Sequence, residues 1–146
     1  MRALRIAPDT TLTELDLPET DAFSAIRQHV GTSGAVDLAV YHPRALLHVH
    51  GEGQVIGLGQ NLAAWALASA WRRMTLYPLH GPVVVTGRTP DGEAAALDDD
   101  LAEHVRTVAQ TVRETLKAWK ARPPVSNEAA ISELLAYAAR DVASSR

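Results

Sequence analysis

Cysteine is absent from the chain, and lysines, aromatic residues and long apolar runs are scarce. Without cysteine there is no disulfide framework, no thiolate metal site and no cysteine nucleophile, which fits a reducing cytoplasm. The apolar run that begins near Leu62 is shorter than the roughly 20 residues that span a bilayer. Arg5 interrupts the N-terminal apolar run that a signal peptide would need. We therefore expect a soluble, cytoplasmic protein that does not act in a membrane.

An excess of positive charge is also missing, because the formal net charge of the 146 residues is -3. Such a chain has no overall attraction to a phosphate backbone, so nucleic acid is not an expected partner. The basic residues are mostly arginines, with Lys117 and Lys120 as the two lysines, a bias typical of GC-rich genomes. The length is sufficient for one domain with its own core.

The stretch from Ala45 to Val85 organises the predicted fold. Residues 45–50, a turn at 51–53 and a return segment at 54–58 predict a β-hairpin, and residues 82–85 predict a further strand. Between them, residues 60–74 predict a helix that is apolar on almost every side. Such a helix is usually buried on several sides. We therefore expect it to pack between the sheet and a second layer.

The flanking segments complete an α+β pattern. Alternation predicts strands at 2–7, 11–17 and 35–41, while Phe23, Ile26 and Val30 predict a short amphipathic helix. From Asp98 the pattern becomes helical until Pro123-Pro124, and Ser126 is expected to cap a second helix. The sequence predicts an α+β core domain over residues 1–95, with a small antiparallel or mixed sheet packed on the buried apolar helix, followed by a C-terminal helical hairpin over residues 98–146.

The helical hairpin is either the far wall of the core or a dimerisation arm. Its apolar stripe continues over many turns, further than one small sheet can cover. We therefore expect an interface with a second copy or with a partner protein. The residues expected at that interface are Val105, Val112, Leu134 and Leu135.

A glycine-rich turn precedes the central helix and suggests an alternative function. A strand, a glycine turn and a helix N-terminus can bind phosphate through backbone N–H groups. Neither the dinucleotide fingerprint nor the P-loop lysine is present, so the turn is also explained as helix entry, with an asparagine as N-cap. The alternative is a small-molecule, nucleotide-like binding protein. The residues expected to bind this ligand, a small anion, are Gly59, Asn61, Arg72, Arg73 and His80. Arg72, Arg73 or His80 would contribute the positive charge.

His48 and His50 share one face of the predicted strand and suggest a second alternative, a metal-dependent hydrolase. Two imidazoles at this spacing can both reach one Zn²⁺, with Glu52 or His42 as a third ligand. Two ligands alone do not establish a site, so no metal and no cofactor are assigned. No nucleophile is paired with a base, and the acidic run 98–100 is explained by the helix dipole. We therefore assign no catalytic residue and favour a non-enzymatic protein.

Five short segments carry a resemblance to a known family: Arg2-Ala-Leu-Arg-Ile-Ala-Pro8, Gly34-Ala-Val-Asp37, Glu52-Gly-Gln-Val55, Asn61-Leu-Ala-Ala64 and His80-Gly-Pro-Val-Val-Val85. Over residues 1–90 the chain resembles a small domain family of unknown function from phage, plasmid and actinobacterial proteins. The family's acidic residue before the Gly-Pro strand is replaced near Tyr77, and the helical hairpin lies outside the pattern. The resemblance implies a mobile-element context. We therefore expect a non-enzymatic accessory protein of phage or mobile-element type that acts by protein–protein interaction or self-association, with the helical hairpin as an added interaction element.

Overall fold

The computed structural model of the chain describes residues 1–32 and 34–144, so residues 145 and 146 of the predicted hairpin lie outside the described part. The strands are β1 (Arg2–Ile6), β2 (Leu12–Asp16), β3 (Val36–His42), β4 (Ala45–His50), β5 (Val83–Arg88) and β6 (Ala94–Ala95). The helices are α1 (Ala22–Val30), α2 (Leu62–Arg72), α3 (Asp99–Trp119) and α4 (Asn127–Ser144).

The strands of the described residues form one sheet in which every pairing is antiparallel. Their order is β2-β1-β5-β4-β3, and the short β6 pairs with the last residues of β5. The central strand β5 is buried from Val83 through Gly87, as expected for a strand with neighbours on both edges and helices on both faces. The predicted α+β fold is confirmed.

The helix α2 lies at the centre of the main core. Its residues from Ala63 to Ala70 are all buried, and they share one apolar cluster with the sheet residues Leu4, Leu47 and Val85. The helix is shorter than predicted because Asn61 caps its N-terminus and Arg73 ends it in the left-handed conformation, at φ 58°. A helix that is apolar all round is therefore buried as its composition predicts.

The C-terminal helices α3 and α4 cover the side of α2 that faces away from the sheet. Val105, Val112 and Leu134 are each at most 3% exposed, and Leu135 is half-buried against the same cluster. Val105, Val112 and Leu134 lie in the core of the chain itself, which corrects the expectation of an interface at these three positions, whereas Leu135 is only partly covered. The reason is that α2 has apolar side chains on every side. The face that the sheet does not cover therefore packs against α3 and α4.

The helix α1 packs on the opposite face of the sheet. Ile26 and Val30 belong to a smaller cluster with Leu15, Leu17 and Val84. None of the helices in the described residues is long and apolar enough to cross a membrane.

The predicted return strand at residues 54–58 is wrong, since residues 51–57 form consecutive turns. Strand β4 pairs with β3 and β5 instead. Gly53 lies against the His80 backbone so closely that a Cβ at this position would be 2.7 Å from the His80 carbonyl oxygen. The segment therefore packs closely against the backbone at His80, and both edges of β4 are already occupied by β3 and β5.

Candidate functional site

Asn61, the central residue of the predicted glycine-turn site, is buried and uses its whole amide within the protein. Its Oδ1 accepts from the Ala64 N–H at 3.1 Å, and its Nδ2 donates to the carbonyl oxygens of Ile6 at 2.9 Å and Gly81 at 3.0 Å. The side chain therefore caps α2 and joins it to two neighbouring segments. No polar atom of this side chain is left for a ligand.

The other residues of the predicted ligand site are dispersed. Gly59 is exposed, and the Nδ1 of His80 meets the Leu58 carbonyl oxygen at 3.1 Å. Arg72 and Arg73 lie at the opposite end of α2, about 18 Å from Asn61 at 1.5 Å per residue. The structure therefore does not bring the five residues together into one site.

His48 and His50 lie on one face of β4, as predicted, but in different environments. His48 is buried and its Nε2 is 2.9 Å from the Thr86 Oγ1. The Thr86 hydroxyl donates to the Gly87 carbonyl oxygen, so the His48 Nε2–H is the donor. The His48 Nδ1 has no hydrogen-bond partner in the described structure, and burial lowers the pKa of His48 to about 4. A ring held in this way is neutral at pH 7.

His50 lies closer to solvent, where its Nδ1 accepts from the Glu52 N–H at 3.0 Å. Across residues 1–32 and 34–144, no group of three or more His, Asp or Glu side chains is arranged to hold a metal ion. The geometry needed for the metal-dependent alternative is therefore not found in the described part of the chain.

The acidic run at the start of α3 anchors that helix to the sheet. Arg44 donates to Asp98 and to Asp100, in each case at 2.6 Å, and Arg2 pairs with Asp99. The hydrogen bond from Arg44 holds the pKa of Asp100 below its usual value. These carboxylates therefore have structural partners, beyond the helix dipole that the sequence suggested.

A cavity of about 390 Å³ lies beside α2, between the segment 75–78 and the start of α4. Small-molecule sites usually measure a few hundred Å³ and are lined mainly by apolar and aromatic side chains. Both features are present here. The lining residues are Gln60, Leu62, Trp65, Thr75, Leu76, Pro78, Trp119, Asn127, Ala130, Ile131 and Leu134. We call this cavity the tryptophan half, because together with a second, neighbouring cavity it forms one groove.

The wall formed by residues 74–78 is fixed to α2 by hydrogen bonds. The Trp65 indole N–H donates to the Leu76 carbonyl oxygen at 2.8 Å, and the Leu76 N–H donates to the Ser69 hydroxyl at 3.3 Å. The Met74 N–H also donates to the Ser69 carbonyl oxygen, at 3.2 Å. The cavity is therefore largely preformed, because the indole and the opposing backbone hold each other in place.

A second cavity of about 370 Å³ continues along α4 and shares Thr75 with the first. Its lining residues are Ser69, Ala70, Arg73, Met74, Thr75, Leu135 and Ala139. We call this cavity the arginine half, and the two halves together the α4 groove. Of the residues expected to bind a ligand, Arg73 alone lies in the groove.

Large apolar side chains are exposed along the α4 groove. Met74 and Ile131, which line it, are 55% and 39% exposed, and Tyr77, beside two lining residues, is 91% exposed. Single exposed apolar residues are common, but a group around a concave surface is typical of a binding site.

The groove was not predicted from the sequence because its walls come from different elements: α2, the segment 74–78, the end of α3 and α4. Trp65 lies in the predicted helix 60–74 and Trp119 in the predicted helical hairpin, and no pattern in the sequence shows that the two indoles line one cavity. A usable signal was the segment 75–79, which carries Leu76, Tyr77 and Leu79 without a predicted element to bury them.

Comparisons with protein-family models, with curated proteins and with solved structures found no match to this chain. The inference of function therefore depends on the geometry of the molecule.

Proposed function

We propose that this chain is a non-enzymatic binding protein whose site is the α4 groove and whose ligand is a small, mainly apolar molecule. The observation that carries the proposal is the cavity of about 390 Å³ between Trp65 and Trp119. Apolar surface transferred from water into such a cavity contributes about 25 cal/mol per Å². A ligand that fills the tryptophan half gains binding energy without any specific polar contact.

The composition of the tryptophan half defines the part of the ligand that it accepts. None of the described residues that line it is charged, and its polar side chains are Gln60, Thr75 and Asn127. An ionised group placed there would lose its hydration without gaining a counter-charge. The expected occupant is therefore an uncharged aliphatic or aromatic group.

The lining of the groove also favours binding over catalysis. Its hydroxyl groups are those of Ser69 and Thr75, and the Ser69 hydroxyl already accepts from the Leu76 N–H. Within the described chain, no histidine or carboxylate lines either half. A hydroxyl without an adjacent base is not activated as a nucleophile.

Titration with decanol, followed by tryptophan fluorescence and calorimetry, tests the proposal. Ala130→Phe places a ring in the tryptophan half, and Ala136→Phe adds the same ring at an exposed α4 position outside the groove lining. We expect the parent protein and the Ala136→Phe variant to bind decanol and the Ala130→Phe variant to lose binding. Equal binding by the two variants, or no binding by the parent protein, would contradict the proposal.

Association through β3 is a second candidate function, supported by a separate observation. Among the described residues, strand β3 pairs with β4 on one side only, and its residues Leu38 and Val40 are 57% and 43% exposed. An open edge with apolar side chains can pair with a strand of another chain. The opposite edge strand, β2, instead carries the exposed Glu14 and Asp16. The self-association expected from the sequence is thus favoured at β3 and not at the helical hairpin.

Sedimentation velocity over a range of protein concentrations tests this second candidate. If β3 mediates self-association, Val40→Lys shifts the protein towards monomer, while Thr13→Lys on the edge strand β2 does not. If the parent protein stays monomeric at every concentration measured, self-association through β3 is excluded.

A further inference from the structure

The α4 groove is apolar in one half and carries a cation in the other. We propose that its ligand is an amphiphilic carboxylate, with the apolar body in the tryptophan half and the acid group at Arg73. This inference rests on the proposed function and adds the charge and the orientation of the ligand.

The position of Arg73 follows from the way α2 ends. Arg73 adopts φ 58°, and its N–H donates to the Ala70 carbonyl oxygen at 3.3 Å. Positive φ is uncommon for residues other than glycine, and here it turns the chain from α2 into the segment 74–78. The same turn places Arg73 in the lining of the groove beside Met74 and Leu135.

Arg73 has no counter-charge within the described part of the chain. Arg72 and Arg73 make no ion pair or hydrogen bond through their side chains there, whereas every other described arginine donates to a protein oxygen or lies over an aromatic ring. None of the described groove residues is acidic. An anion that enters the arginine half therefore meets a guanidinium that is not already paired.

The chemistry of one guanidinium favours a carboxylate. Its planar pair of N–H donors matches the two oxygens of a carboxylate, and one positive charge balances one negative charge. Arg73 is the only cation among the described lining residues, so a doubly charged phosphate would keep part of its charge uncompensated. The two halves share Thr75 in their lining, so a free amphiphile with its acid group at Arg73 can extend past Thr75 towards the two tryptophans.

Calorimetric titration with monomeric decanoate, decanol and decyltrimethylammonium, which share one apolar body, tests the charge preference. The parent protein is compared with Arg73→Gln and with the matched control Arg72→Gln, since Arg72 does not line the groove. We expect decanoate to bind about fivefold more tightly than decanol, the effect of an exposed ion pair. The decyltrimethylammonium ion should bind most weakly. In Arg73→Gln the preference for decanoate disappears and decanol binding is unchanged, while Arg72→Gln keeps most of the preference.

The outcomes separate this inference from the proposed function. Equal binding of decanoate and decanol, or a preference that survives in Arg73→Gln, would overturn the inference and leave the apolar site in place. Failure of all three amphiphiles to bind would overturn the proposed function itself. If the protein binds vesicles of anionic phospholipid but not monomeric decanoate, the α4 groove contacts a membrane surface instead, and the inference is also overturned.

Discussion

The buried His48 makes the stability of the protein depend on pH in a way that one substitution should remove. In the folded state its pKa is lowered to about 4 by burial, against 6.5 for an ordinary histidine. Protonation would place an N–H at Nδ1, where the described structure provides no acceptor. Between these two pH values the unfolded chain binds a proton that the folded protein does not.

The sign and the size of the effect follow from this difference. Above pH 6.5 the ring is neutral in both states, so His48 adds no pH dependence. As the pH falls towards 4, the free energy of unfolding decreases, by about 2 kcal/mol at pH 5 and about 3 kcal/mol at pH 4, at 1.36 kcal/mol per pKa unit. The side chain is 3% exposed, so solvent screening does not reduce this value appreciably.

Urea unfolding at pH 7 and at pH 5, followed by tryptophan fluorescence, measures the effect. The variant His48→Gln keeps a donor for the Thr86 hydroxyl and has no charge to gain, so about 2 kcal/mol of the loss between the two pH values should disappear. The matched control is His50→Gln, on the same face of β4 but nearer to solvent, which should keep the loss. Burial also lowers the pKa of His42, which acts in the same direction and is present in all three proteins. If the free energy of unfolding of His48→Gln falls as much between pH 7 and pH 5 as that of the parent protein, the reasoning about the buried ring is wrong.

Three further substitutions and one control substitution test the packing around the sheet, each by urea unfolding. Asn61→Ala removes the cap of α2 and the amide that donates to the carbonyl oxygens of Ile6 and Gly81, so the free energy of unfolding should fall by about 3 kcal/mol; a loss below about 1 kcal/mol would contradict this. Gly53→Ala should cost about 1 to 3 kcal/mol because its Cβ would meet the His80 carbonyl oxygen, whereas Gly59→Ala meets only ordinary contacts and should be nearly neutral. Arg44→Gln should cost at most about 1 kcal/mol, and less in high salt, because its ion pairs are half-exposed.

Local patterns in the sequence were sufficient for much of the fold. The buried α2, its asparagine cap and the Ser126 cap of α4 follow from composition and from capping chemistry, and the Ser126 Oγ accepts from the Ala129 N–H at 3.1 Å. The segment 54–58 was misread because Val55, Ile56 and Leu58 resemble a strand. Both edges of β4 are paired with β3 and β5, and Gly53 packs against the His80 backbone, and no local pattern contains either contact.

The candidate site was not predictable from the sequence for a similar reason. The apolar stripe of α3 and α4 was recognised, but its direction was not, because periodicity does not show which surface a helix faces. Once the stripe packs on α2, the groove remains at the edge of this contact, between α2, α4 and the segment 74–78. Arg73 was expected to contribute charge to a ligand site, and the structure places it in the lining of the groove.

The most direct test of the central claim uses the three tryptophan indole N–H signals in two-dimensional NMR spectra of the ¹⁵N-labelled protein, assigned by single Trp→Phe variants. Trp65 and Trp119 line the groove. Trp71 is an internal control, since its indole donates to the His104 Nδ1 at 3.1 Å and it does not line the groove. If the α4 groove is the binding site, titration with decanol shifts the Trp65 and Trp119 signals and leaves the Trp71 signal unchanged. Shifts confined to Trp71, or no shift of any indole signal at saturating decanol, would contradict the account.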